Sequence, residues 1–484
     1  MVNTEIQRFR TALKRTSLSR PVALALGDAI IAPTKRVLDF GCGKGDDVRL
    51  LNERGVTAVG WDPTFAPSGD RSPAAVVNLG YVVNVIEDSA ERTACLREAW
   101  ALASEVLVVA ARLVGEVEVE SLACFADGSV TRRGTFQKFY EQEELRSWIE
   151  GVVGESPVAV APGVFYVFRS ADEREAFVSS RYRRRVSAPL VRVSDQLYEQ
   201  CKEMLAPLEA FFLGRGRLPS MEELETSAEV STRFGSIARA FRVVRYVTGN
   251  DAWRAIVEGR REDLLVYAAL SRFGGRPRWS DLPRAIQNDV RAFFSTYRHF
   301  CDAGDELLFA AGRRDELDRA MRAAPVGKST PSALYVHRSA LDTLPALLRA
   351  YEGCARNLAG EVPDANLVKL SRTEAKVSYL SYPTFDRDAH PALYRAVVVY
   401  PGALRIHYRD YSTSENPPIL HRKEEFVGAT YPGRDRFAKL TAQEERAGLL
   451  GTSNDIGLRL AWNEVMAARG FAIRGHRLER VVSN

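Results

Sequence analysis

Residues Val37–Asp47 read VLDFGCGKGDD. An apolar run closes on an aspartate, three glycines follow at alternate positions, and two more aspartates open the next segment. A glycine-rich turn between a strand and a helix commonly cradles a nucleotide, because the backbone can approach the ligand and the helix N-terminus presents N–H groups. The dinucleotide form of that turn, GxGxxG, requires glycine where this chain carries Asp46. Asp46 and Asp47 at a helix N-terminus oppose a pyrophosphate, so the pattern favours a nucleoside without phosphates. S-adenosylmethionine meets that condition: it carries a sulfonium, an ammonium and one carboxylate. Asp39 is placed to meet its amino-acid end, and the N–H groups of the glycine loop to meet its carboxylate. Asp62, in GWDP about 20 residues past the glycines, ends the next strand and is expected to accept bonds from both ribose hydroxyls. The candidate cofactor residues are Asp39, Gly41, Cys42, Gly43, Gly45, Asp62, Pro63 and Asn78.

Around this turn the first ~170 residues alternate strand-like and helix-like segments, which predicts βαβ construction on a parallel sheet. The strands expected are KRVLDF, VTAVGWD, AAVVNLG, EVLVVAARL and GVFYVFRS, with helices over DVRLLNERG and AERTACLREAWALA. Residues from about 194 to 322 have helical periodicity, and strands return beyond ALDTLPALLRAYEGCARNL (340–358), in KVSYLSY and RAVVVYPGALRIHYRDY. The fold expected is α/β: a class I, Rossmann-like domain over residues 1–172 with a basic N-terminal arm, a helical domain over 173–330 and a C-terminal α/β domain over 331–484.

The acceptor side is sought at the end of AAVVNLGYVVNVIED. Asn78 and Tyr81 stand where amino-group methyltransferases of nucleic-acid bases carry Asn/Asp-Pro-Pro-Tyr, whose polar side chain holds the amino nitrogen and whose ring stacks on the base. Leu79 and Gly80 replace both prolines. The variable tetrad of small-molecule methyltransferases is the competing reading. Asn78 and Tyr81 are the candidate catalytic residues. Thr135, Gln137 and Lys138 in GTFQKFY lie on a loop able to cover the site, or to cap the helix that follows. The tract RYRRRVSAPLVR offers Arg183, Arg184 and Arg185 as phosphate contacts, with Lys138 as a fourth basic candidate; a solvated helix face is the alternative. In the C-terminal third, Asp364, Glu374 and Lys376 match the spacing of a metal-dependent nuclease and are set aside as a short chance pattern. Asp386, Asp388 and His390 in FDRDAHP read as a polar loop, so no metal ligand is assigned.

The chain has 484 residues, 67 lysines and arginines against 62 acids, and six cysteines without a CxxC pair. A charge of +5 permits a polyanionic partner without requiring one. The scattered cysteines argue against a disulfide framework or a cysteine zinc knuckle. No apolar stretch reaches the ~20 residues of a membrane span, and the polar N-terminus has no signal core. A cytoplasmic protein without membrane attachment is expected.

Together VLDFGCGKGDDVRLL, GWDP, VVNLGYVVNVIED, GTFQKFY, SYLSYPTFDRDAHPAL and NPPILHRKEEF resemble the DNA phosphorothioation-associated methyltransferases over nearly the whole chain. That resemblance implies a class I fold, S-adenosylmethionine as cofactor, DNA as the foremost nucleic-acid partner, and association with phosphorothioation or restriction proteins. It defines no acceptor. Methylation of RNA or a small molecule, and non-catalytic binding of the cofactor, stay open.

Overall fold

The computed structural model describes residues 6–116, 123–131, 134–184, 196–451 and 456–481. The chain divides into two compact units: residues 1–170, 326–340 and 352–484 form one, and residues 171–325 and 341–351 the other.

The first unit begins with helix α1 (Arg20–Gly27), followed by β1 (Val37–Phe40), α2 (Asp46–Asn52), β2 (Ala58–Trp61), β3 (Ala74–Gly80), α3 (Ser89–Leu102) and β4 (Ala103–Ala110). Helix α4 (Gln142–Val153) then leads to β5 (Val158–Ala161) and β6 (Val164–Phe168). The strand order is β2-β1-β3-β4-β6-β5. Strands β2, β1, β3 and β4 run parallel. The apolar runs of β1, β3 and β4 are buried on both faces, as helix-covered parallel strands require, whereas the edge strand β2 is half-buried beyond Ala58. Helix α3 starts where the Asp88 carboxylate accepts the N–H of Ala90 at 2.7 Å, a cap of the kind worth ~1 kcal/mol. The VVNVIED segment is therefore a turn that leads into the helix.

The sheet departs from the parallel expectation at its far edge, where β6 pairs antiparallel with both β4 and β5. Only Pro162 and Gly163 separate β5 from β6, whereas a parallel return needs a crossover of about a dozen residues. Gly163 has φ +73°, and a Cβ there would stand 2.4 Å from the Ala111 carbonyl oxygen. The turn is closed to other residues.

A second six-stranded sheet belongs to the same unit: β7 (Lys328–Ser329), β8 (Ala333–His337), β9 (Leu367–Ser371), β10 (Val377–Ser381), β11 (Arg395–Tyr400) and β12 (Arg405–Asp410), antiparallel in sequence order. Helix α5 (Ala346–Ala359) connects β8 to β9, and α6 (Arg434–Arg446) and α7 (Arg459–Arg469) follow the sheet. The two sheets are joined through Gln142, whose amide donates to the Leu358 carbonyl at 3.0 Å and accepts from the Gly163 N–H at 2.8 Å. A buried amide satisfied on both sides fixes the two layers more specifically than apolar contact alone.

The second unit is helical, as its periodicity predicts. Its longest helix, Asn250–Ser271, packs Trp253 on Phe212 and Phe241, whose rings stack at 4.1 Å.

Candidate functional site

Strand order reverses between β1 and β3, and at such a switch point the carboxyl ends of parallel strands open a crevice. The register sets Asp39 beside Asn78, and the Asn78 Nδ2 donates to Asp39 Oδ1 at 2.7 Å. Both side chains are buried. Burial, and then the nearby Asp47 carboxylate, push the Asp39 pKa up to about 7. The Asn78 Oδ1 is buried without a partner among the described residues. These groups line a cavity of about 380 Å³, with Gly41, Cys42, Gly43, Asp62, Pro63 and Tyr81 also on its wall. That volume is within the roughly 300–1,000 Å³ of small-ligand clefts.

The glycine loop differs in use from its sequence expectation. Gly41 and Cys42 both donate to the Trp61 carbonyl, Gly43 to Asp62 Oδ2 at 3.0 Å, and Gly45 to the Cys42 carbonyl. Those N–H groups hold the turn together and are not available to a ligand carboxylate. Gly41, at φ +87°, has no room for a side chain: a Cβ would lie 2.4 Å from Val82 Cγ2. Asp62 Oδ1 accepts from the N–H groups of Thr64 and Phe65, both at 2.9 Å. With three donors already on a carboxylate of about four lone-pair sites, Asp62 has room for one ribose hydroxyl rather than two.

Asp46 and Asp47 also have work inside the protein. Asp46 Oδ2 accepts the Arg15 N–H and Asp47 Oδ1 the Ser19 N–H, each at 2.7 Å. Farther along the same N-terminal segment, Arg8 pairs with Glu87 at 2.8 Å and Glu91 at 2.5 Å. The acidic start of α2 thus fastens a strap, residues 8–19, along the cavity wall. Arg8, Phe9, Ala12, Leu13 and Arg15 of this strap line the cavity. The Arg15 guanidinium has no hydrogen bond or ion pair among the described residues. The basic arm is visible in the sequence, but nothing local in it points to the cavity, because the contact closes over some 30 residues.

Tyr81 follows β3 with φ +62°, a left-handed backbone that a bulky residue adopts at a cost of about 1–2 kcal/mol. Its N–H donates to the Ala110 carbonyl at 2.7 Å, which holds the chain in that turn and brings the ring to the cavity wall. Strain of this kind concentrates at functional sites.

Other candidates lie elsewhere. Thr135 is bonded to Thr131, and Gln137 accepts from Asn84 Nδ2 at 2.9 Å, both within a small three-stranded sheet and its turn. Lys138 is held by Asp127 at 3.1 Å and Glu144 at 2.8 Å, so its charge is not presented to a polyanion. Arg184 pairs with Glu262 and Asp263. Arg183 is exposed, and Arg185 lies outside the described residues. Asp364 precedes β9, whereas Glu374 and Lys376 follow it and pair with each other at 2.9 Å. Among the described residues these carboxylates are not among the groups whose ligand atoms converge on one point. His390 does not cluster with Asp386 and Asp388; it meets His421 and Glu444 instead.

Residues 7–114 match the family model described as a methyltransferase domain. Among solved structures, the chain is similar to a sugar N-methyltransferase from a Streptoalloteichus species, at 17% identity over 31% of this chain and 84% of that one, TM-score 0.24. It is similar to the 1,6-didemethyltoxoflavin N1-methyltransferase of Burkholderia thailandensis, at 14% identity over 31% and 79%, TM-score 0.22. The magnesium protoporphyrin IX methyltransferase of Synechocystis PCC 6803 matches at 16% identity over 34% and 93%, TM-score 0.24. No curated protein matches the sequence. The N-terminal part of the chain is a Rossmann-like methyltransferase domain of class I. Its cofactor is S-adenosylmethionine, and the protein is a methyltransferase. Among the described residues no helix is long and apolar enough to cross a membrane.

Proposed function

We propose that the cavity at the ends of β1 and β3 holds S-adenosylmethionine and presents its methyl group to a nucleophile beside Tyr81. The observation that carries this reading is the meeting of Asp39, Asp62, Asn78 and Tyr81 on one cavity wall at the switch point. The residues fit the cofactor in charge as well as in size. Asp39 faces its cations, Asp62 offers a lone pair to the ribose, and the unpaired Arg15 guanidinium takes the carboxylate, which the engaged N–H groups of Gly41, Cys42, Gly43 and Gly45 do not hold. The cofactor supplies an electrophilic methyl group; the protein supplies alignment and a site closed to water. Asn78 Oδ1, lacking any donor of its own, orients an N–H or O–H of the acceptor. The Tyr81 ring forms the wall against which the acceptor lies.

In this proposal the acceptor is a nucleic acid, DNA foremost, in the phosphorothioation or restriction setting that the sequence resemblance implies. A small-molecule acceptor is the second reading. It is favoured by the pairing of Lys138 and Arg184 with internal carboxylates, which removes two of the basic contacts expected for a phosphate backbone. Transfer of radiolabelled methyl from the cofactor to plain DNA, phosphorothioated DNA, RNA and a small-molecule cell extract separates the readings. Label in DNA supports the first, and label confined to the extract supports the second. Stoichiometric cofactor binding without label in any fraction removes both.

A further inference from the structure

Three segments that are distant in sequence bring their polar side chains together beside α6. His390 is in the loop between β10 and β11, His421 lies in the segment after β12, and Glu444 is in α6. Their ligating atoms lie within 4.8 Å of one another. The His390 and His421 rings are 4.3 Å apart, and Trp462 of α7 packs edge-on against both, at 4.8 and 4.6 Å. Ile419, Leu449 and Met466 complete an apolar surround.

The hydrogen bonds of this cluster do not balance. His390 donates through Nδ1 to the Leu420 carbonyl at 2.9 Å, and His421 through Nε2 to the Ile456 carbonyl at 2.7 Å. In a neutral imidazole the second nitrogen then carries a lone pair. His390 Nε2 shares a proton with Glu444 Oε1 in a 2.7 Å hydrogen bond, while His421 Nδ1 and Glu444 Oε2 are buried with no partner among the described residues. Glu444 is fully buried. Acceptors therefore outnumber donors in a site shielded from solvent, where each unmet polar atom costs about 1–3 kcal/mol.

We propose that His390, His421 and Glu444 bind one divalent transition-metal ion, zinc being the best match to two imidazole nitrogens and a carboxylate. The arrangement around them is that of a metal site. Each imidazole is oriented by a backbone carbonyl on its far nitrogen, the outer contact that fixes a ligating tautomer. Lys423 adds a second level of support: its ammonium donates to the carbonyls of Phe385 at 2.7 Å and Asp388 at 2.6 Å, fastening the loop that carries His390. Zinc–ligand bonds of about 2.0–2.2 Å put ligand atoms a little over 3 Å apart, so the ion draws the outer pair inward by about an ångström and opens the His390–Glu444 contact. Three protein ligands leave a fourth position for water. The ion ties the β10–β11 loop, the segment after β12 and α6 to one point, which makes it a fastening for the C-terminal part of the unit.

The test uses the untagged full chain, stripped with chelator and titrated calorimetrically with Zn²⁺. One equivalent is expected to bind and to raise the melting temperature. Glu444→Gln and His421→Gln are each expected to weaken Zn²⁺ at least tenfold and to abolish the thermal shift. Should those variants fail to fold, the wild-type chain loaded with Co²⁺ decides alone, because a four- or five-coordinate nitrogen–oxygen site gives intense visible d–d bands. Absence of both stoichiometric Zn²⁺ and those bands in the wild type overturns the site. A buried proton or water then satisfies the cluster.

Discussion

The cavity at β1 and the histidine cluster at α6 are both polar and buried, yet they balance donors against acceptors in opposite ways. Around the cavity, four glycine-loop N–H groups, two helix-start carboxylates and most of Asp62 find partners within the protein. What is left over includes the Arg15 guanidinium, the Asn78 Oδ1 and an easily protonated Asp39, a spread of mixed charge suited to a zwitterion. In the cluster the unmet atoms are all lone pairs, within a few ångströms of one point. A large organic ligand needs a shaped, internally satisfied wall with few free groups. A metal ion needs a surplus of donors to itself.

The largest test of that contrast concerns Asn78. Asn78→Ala is expected to cut methyl transfer by about two orders of magnitude or more, since an acceptor loses its orienting group in the transition state. The same change leaves Asp39 buried without its donor, so stability should fall by about 1–3 kcal/mol. Turnover, melting temperature and cofactor affinity measured together separate these effects. Turnover that falls only in proportion to folded protein would reduce Asn78 to a support for Asp39. Tyr81→Phe provides the companion measurement: a stacking wall keeps its activity to within a few-fold, whereas Tyr81→Asn, which tolerates the left-handed backbone, loses most of it while the protein stays folded.

Arg15 comes next in size. A charged hydrogen bond to a carboxylate is worth about 1.5–3 kcal/mol, so Arg15→Ala should weaken S-adenosylmethionine roughly 10- to 150-fold. Decarboxylated S-adenosylmethionine should bind wild type and variant almost equally. A variant that discriminates between the two ligands as the wild type does would place the carboxylate elsewhere and make the strap a cover only.

How far each region could be read in the sequence follows from how local it is. Asp39, the glycines and Asp62 lie on one strand–turn–helix–strand passage, and their spacing alone brings them together. The helical unit was equally legible from its periodicity. Three features were not. The use of Asp46 and Asp47 as anchors for Arg15 and Ser19 depends on where the arm returns, which no local pattern fixes. The antiparallel β6 is hidden because a buried strand reads the same in either direction, and the short Pro162–Gly163 turn is the one local signal of it. His390 stands in sequence beside Asp386 and Asp388, but its partners lie 31 and 54 positions onward, beyond the reach of spacing arguments.

The smallest effect expected is a tenfold change of affinity with pH, and it bears on the cavity alone. Burial holds the Asp39 pKa near 7, far above the ordinary carboxylate value of 3.8. The folded protein therefore binds this proton more tightly than the unfolded chain across the window between about pH 4 and 7. The contribution of Asp39 to stability is largest below that window and declines as pH rises through it. Cofactor binding has the opposite trend, because the cationic ligand favours the carboxylate. If only ionised Asp39 accepts the cofactor, the competent fraction rises from about a tenth at pH 6 to about nine-tenths at pH 8, and one proton is released on binding at pH 6. The neighbouring Cys42 thiol does not confuse the measurement, since burial and the Asp39 charge push it up to about 12. Calorimetry in buffers of different ionisation enthalpy measures both the affinity and the proton. Asp39→Asn retains an acceptor for Asn78 Nδ2 and should flatten the profile while keeping the fold. A wild-type profile that is already flat between pH 6 and 8 would move the cofactor's cations away from Asp39, and the mixed charge of the cavity would need another owner.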